Sequence, residues 1–121
     1  MTTPYPEALR EALIRRFQWE ILFSIENAQT ALPKGDETYI GGCAFRSLAC
    51  AAQVLFALNR NYLVNEKGAL AIAASLPLTV ANLTERVKSV WQALGLRAFD
   101  TAIGGLRSIE RELAGLIAAA P

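Results

Sequence analysis

Apolar side chains recur along this chain at intervals of three and four residues, and strict alternation is nearly absent. That period predicts helices and gives no strand of useful length. The first predicted helix covers about residues 6–31. Ile14, Phe17, Ile21, Ile25, Ala28 and Leu32 form its inward stripe, and Pro6 suits its first turn. Glu11–Arg15 and Arg16–Glu20 are spaced to pair on its wet side, and Pro33 with Gly35 ends it. The second covers about 36–63, with Asp36 as N-cap and Glu37 in its first turn. It is apolar on almost every side, which predicts a central position. Its tandem Gly41-Gly42 weakens the helix and marks a close backbone approach or a kink.

A short third helix is predicted at about 66–76, capped by Asn65 and stopped by Pro77. The fourth begins near Thr79 or Asn82, where Asn82 and Glu85 have the spacing of a capping box. Its inward stripe is Leu83, Val87, Val90, Trp91 and Leu94, and Gly95 is its natural stop. The fifth covers about 97–119, with Phe99, Ala102, Ile103, Leu106, Ile109, Leu113 and Leu116 inward. Short connections predict antiparallel neighbours. The expected fold is all-α, an up-and-down four-helix bundle with an additional short helix, forming a single helical domain over residues 1–121.

Composition narrows the chemistry. The chain has 121 residues, 53% of them apolar, which suits one domain with one core. Its 12 basic and 11 acidic residues leave a formal charge of +1, which argues against a DNA binder. There is no histidine, so no imidazole is available for catalysis or metal binding. Cys43 and Cys50 lie about 10.5 Å apart along a helix, too far for a disulfide. They read as buried thiols of a reducing compartment. The uncharged stretch 68–83 contains Pro77 and is too short for a membrane span, and residues 1–6 show no signal-peptide pattern. A soluble, cytoplasmic protein is expected.

One segment carries a pattern beyond helix formation. Tyr39, Arg46, Gln53 and Arg60 are spaced seven apart, which draws a polar line along the most apolar helix. Asn59 and Tyr62 lie near its end, followed by Asn65-Glu66-Lys67-Gly68. The line is either a solvated strip or one wall of a crevice. The lysine turn is either a helix cap or, with a helix N-terminus behind it, an anion site for a phosphate. Other arrangements fail: there is no P-loop, and no serine has a histidine to activate it. Gly104-Gly105 with Glu110 and Glu112 has the wrong spacing for a nucleotidyltransferase metal signature, and both glutamates read as surface residues.

Taken together, Tyr5-Pro6-Glu7-Ala8-Leu9-Arg10, Trp19-Glu20, Gly35-Asp36, Cys43-Ala44-Phe45-Arg46, the run from Gln53 to Arg60, Tyr62 and Asn65-Glu66-Lys67-Gly68 form a recognisable set. The chain resembles the C-terminal helical, substrate-binding domain of bacterial nucleotidyltransferase-domain proteins of the DNA-polymerase-β superfamily. The likeness is clearest over residues 4 to about 77 and most specific from Phe56 to Gly68. It implies a catalytic domain in cis or in trans that carries the magnesium-holding carboxylates, since this sequence contains no such motif. It implies no cofactor and no catalytic residue in this chain, which would be an excised domain or a stand-alone subunit.

The positions carried over as substrate- or nucleotide-binding are Arg46, Gln53, Asn59, Arg60, Tyr62, Asn65, Glu66 and Lys67. The cationic three would meet phosphate or an anionic substrate. Asn59, Asn65 and Glu66 would hold the turn or the acceptor, and Tyr62 would stack or donate its hydroxyl. A second family of small helical nucleotide-binding domains uses an arginine–histidine pair for ribonuclease chemistry, which a chain without histidine lacks. The alternative is a structural or interaction module that forms a homodimer through surplus apolar surface and has no ligand of its own.

Overall fold

The computed structural model describes residues 4–120. It is all-helical among the described residues, with α1 (Glu7–Ala31), α2 (Glu37–Leu58), α3 (Ala69–Ser75), α4 (Leu83–Gly95) and α5 (Phe99–Ala119), and a 3-10 turn at Leu32–Lys34. The five helices fall within the five segments predicted for them, with α2 and α3 shorter than expected. One continuous core joins Ile14, Ile21, Ile25 and Ala28 of α1 to Leu48, Val54, Leu55 and Leu58 of α2 and to Ile103, Leu106, Ile109 and Leu113 of α5. α1 and α2 run antiparallel: Glu20 meets Arg46, and Glu7 meets Arg60.

The first hairpin follows its sequence signals closely. Pro6 takes the extended N-cap position of α1, and Gly35 adopts φ +58 after the 3-10 turn. An added Cβ at Gly35 would sit 3.2 Å from the Arg97 guanidinium, so both the dihedral and the space favour glycine. Asp36 caps α2 by accepting from the Tyr39 N–H at 3.1 Å.

The helix ends differ more. α2 stops at Leu58, not near residue 63. Arg60 turns left-handed (φ +55), with Asn61 N–H donating to Phe56 C=O and Arg60 N–H to Ala57 C=O. This is a Schellman turn with arginine in the position glycine usually takes. α4 ends the same way: Arg97 (φ +58) is the left-handed residue, and Gly95 remains helical. Ala98 N–H and Arg97 N–H close that turn onto Ala93 and Leu94.

α3 starts at Ala69, capped by left-handed Gly68, so Asn65 is not its cap. Asn65 instead accepts from the Lys67 N–H at 3.0 Å, which closes a local turn. The Asn82–Glu85 capping box is also absent. Asn82 is left-handed and its side chain makes no cap hydrogen bond. The strand of chain before α4 is held from elsewhere: Glu112 accepts from Ala81 N–H at 2.6 Å and from Arg86 at 2.7 Å. Those two donors hold the Glu112 carboxyl below the usual carboxylate range. Glu112 is thus a clasp between α5 and the α4 entry, beyond the surface role its sequence context suggests.

The tandem glycines behave differently from one another. Nothing approaches within 4 Å of a Cβ built on Gly41, Gly42 or Gly104, so the expected close approach at Gly41-Gly42 is not made, and α2 is continuous through it. Gly105 does meet a neighbour: its Cβ would lie 3.0 Å from Val90 Cγ2 where α5 crosses α4. Gly105→Val should therefore lower stability by about 1–3 kcal/mol through overpacking. Gly104→Ala should raise it by up to about 1 kcal/mol by removing backbone freedom. Urea midpoints of the two variants, measured against the parent chain, check both signs.

Candidate functional site

α2 is buried unevenly. Near its C-terminus Val54, Leu55, Phe56, Ala57 and Leu58 are all buried in succession. Further towards the N-terminus, Gly42, Phe45, Arg46 and Ala49 are exposed, and Gln53 is half-buried. These five lie three, one, three and four positions apart and share one face of the helix. By length and composition α2 is apolar enough to cross a membrane, and 61% of its most apolar window is buried inside the protein.

The uncovered face is the floor of an open pocket of about 520 Å³. That volume falls within the range of small-molecule sites. Phe17 and Glu20 of α1 form one side. Trp91 of α4 stands on the other with Phe45, which is 64% exposed. Leu63, Glu66 and residues 68–71, in the connection to α3 and its first turns, contribute the remaining lining. Gly42 and Ala49 leave the floor low because they carry almost no side chain. The sequence places Trp91 in the inward stripe, but it is 41% exposed at this rim.

The polar content of the pocket is organised around one carboxylate. Glu20 accepts from Arg46 Nη2 at 2.9 Å and from the Cys50 thiol at 3.4 Å, with Arg16 3.8 Å away. Burial, reinforced by the Glu20 hydrogen bond and charge, pushes the Cys50 thiol up to about 12. Cys50 is therefore a protonated donor. Cys43 is only half-buried, unlike the expectation for both thiols, and burial raises its pKa as well. The Gln53 amide and the Glu66 carboxylate make no hydrogen bond or ion pair with any described residue.

Of the residues singled out from sequence, the pocket brings together Arg46, Gln53 and Glu66. The others are placed elsewhere. Tyr39 is exposed near the start of α2, outside the pocket lining. Asn59 is a latch: its amide nitrogen donates to Leu55 C=O at 2.7 Å and Leu78 C=O at 2.8 Å, and its oxygen accepts from Leu78 N–H at 2.9 Å. Arg60 pairs with Glu7 at 3.3 Å. Tyr62 packs against Tyr5, with ring centroids 4.7 Å apart. Lys67 is exposed and does not line the pocket, so the lysine turn and the Arg46–Gln53 wall do not form one phosphate cradle.

Sequence reasoning missed Arg10, Glu20, Phe45 and Trp91. Arg10 is only 4% exposed, bonds Glu7 at 3.0 Å and donates to Leu58 C=O at 3.4 Å. A guanidinium there complements the negative end of α2. Its signal was an arginine three residues after Glu7, which reads equally well as a wet pair. Among the described residues, no group of three or more His, Cys, Asp or Glu side chains is arranged to hold a metal ion.

The chain matches no protein-family model, and neither the curated proteins nor the solved structures give a significant match.

The Asn59 latch generates a direct test. Asn59→Ala should lower stability by about 1–3 kcal/mol by removing these hydrogen bonds. It should also speed amide exchange at Leu78. An unchanged Leu78 exchange rate would return Asn59 to the substrate-binding positions expected from sequence.

Proposed function

We propose that this chain is a helical substrate- or nucleotide-binding domain that complements a polymerase-β-like nucleotidyltransferase domain, in cis or in trans. In this reading the four longer helices form an up-and-down bundle with α3 as the additional short helix, and the protein works in the cytoplasm. Magnesium belongs to the other domain, where it would direct transfer of a nucleotidyl group. The present chain supplies one wall of the cleft and has no catalytic activity alone.

The observation that carries this reading is the open pocket on α2, with Arg46, Gln53 and Glu66 in its lining. A pocket open along one side suits a site completed by a second body. The resemblance in the Phe56–Gly68 stretch supplies the kind of body expected. Several candidates from that stretch have structural work instead: Asn59 latches Leu78, Tyr62 packs on Tyr5, and Asn65 closes its own turn. The binding role is therefore assigned to Arg46, Gln53 and Glu66.

A second reading has its own observation. Trp19 and Phe23 stack on α1 with ring centroids 4.9 Å apart, and they are 61% and 50% exposed. Exposed stacked aromatics of this kind are common at interfaces between chains. In that reading the chain is an interaction module that forms a homodimer.

Sedimentation of the chain alone and mixed with a polymerase-β-like catalytic domain supplied in trans separates the two. The proposal expects a one-to-one complex, weakened roughly tenfold by Arg46→Ala. A chain that ignores the catalytic domain, sediments as a dimer and becomes monomeric in Trp19→Ser would establish the homodimer instead.

A further inference from the structure

The pocket's lining favours one ligand chemistry over another. The Gln53 amide is half-buried on its floor and has no partner among the described residues. A primary amide offers a donor and an acceptor side by side, which matches a flat ring edge that carries an acceptor and a donor. Phe17, Phe45 and Trp91 add aromatic surface to the same pocket. Aromatic walls hold flat heterocycles by stacking, with little regard to their identity.

Charge argues against the alternative ligand, a phosphate. The charged side chains lining the pocket are Glu20, Arg46 and Glu66. Arg46 is committed to Glu20 at 2.9 Å, which leaves Glu66 as the unbalanced charge of the lining. Lys67 does not line the pocket, and Arg16, outside the lining, is occupied over the Phe17 ring at 5.3 Å and beside Glu20 at 3.8 Å. A polyphosphate entering here would lose hydration, meet the Glu66 carboxylate and find the lining's arginine already paired with Glu20.

We infer that the pocket takes an uncharged heteroaromatic ring with adjacent hydrogen-bond donor and acceptor, such as a purine base, read by Gln53 between the aromatic lining residues Phe17, Phe45 and Trp91. Phosphates of a bound nucleotide then project away from this chain. The inference rests on the binding-domain reading and narrows its ligand to the base.

The test uses adenosine, ATP and inorganic tripolyphosphate as probes, followed by nuclear magnetic resonance of the Gln53 side-chain amide and the Trp91 indole N–H. Adenosine and ATP should shift both signals with similar affinity, and tripolyphosphate should shift neither. Gln53→Leu should weaken adenosine roughly tenfold or more. Gly42→Leu, placed where nothing lies within 4 Å, should block the pocket and leave the helical fold intact. Tripolyphosphate binding at Arg46 without adenosine, adenosine shifts confined to other residues, or no response to any probe would each overturn the inference. The two proposals fail separately. A chain that binds the catalytic domain but not adenosine refutes only the base-binding inference. A chain that binds adenosine but no catalytic domain refutes only the partner.

Discussion

Everything in this fold is arranged around a helix that is too apolar for the cover it receives. α2 buries its last five residues completely, and α1 and α5 supply much of that cover. At its other end the same helix turns Gly42, Phe45 and Ala49 outward. Burying an apolar side chain is worth about 1.5–3 kcal/mol, which favours covering such a face. α4 does not close over it. Trp91 stops at the rim, and the Glu112 clasp holds the start of α4 against α5. The pocket is the space left by that division.

The seams on either side of the pocket are held by polar contacts of different kinds. Between α1 and α2, Glu20 gathers Arg46 and Cys50, a partly exposed arrangement of modest strength. At the closed end, Arg10 donates to the last carbonyl of α2, and Glu7 ties Arg10 to Arg60. The Schellman turn at Arg60 then redirects the chain, and Asn59 pins Leu78 against it. Asn59 and Asn65 are thus absorbed by the return of the chain from α2 to α4, and Arg60 and Tyr62 by contacts with Glu7 and Tyr5. Asn59 and Arg60 build the turn from which the chain returns to place Glu66 and residues 68–71 in the pocket lining.

Helix positions were legible because inward stripes and proline breaks are local signals. Helix ends were less so, because two left-handed turns fall on Arg60 and Arg97, which carry no signal for one, and Asn82, which tolerates that conformation, reads as a cap instead. Gly95 and Asn65 carry the usual signals, but neither takes the left-handed or capping position. The seven-residue polar row was visible, yet only its middle members share the pocket. Tyr39 lies about 10 Å nearer the start of α2, before Gly42, the first α2 residue of the lining. Arg60 lies beyond the end of the helix. Trp91 and Glu20 had no sequence signal for the pocket, since their place there depends on long-range packing alone.

The central claim is that α2 is bare along its middle while packed just beside it. Thiol-labelling rates test this most directly, in a chain with Cys43 and Cys50 replaced by serine. A cysteine at Ala49, on the exposed face, should react at a rate close to that of the unfolded chain, and one at Ala51, buried in the core, should be strongly protected. Equal protection at both positions would mean that α2 is covered all round and that the pocket does not exist in solution.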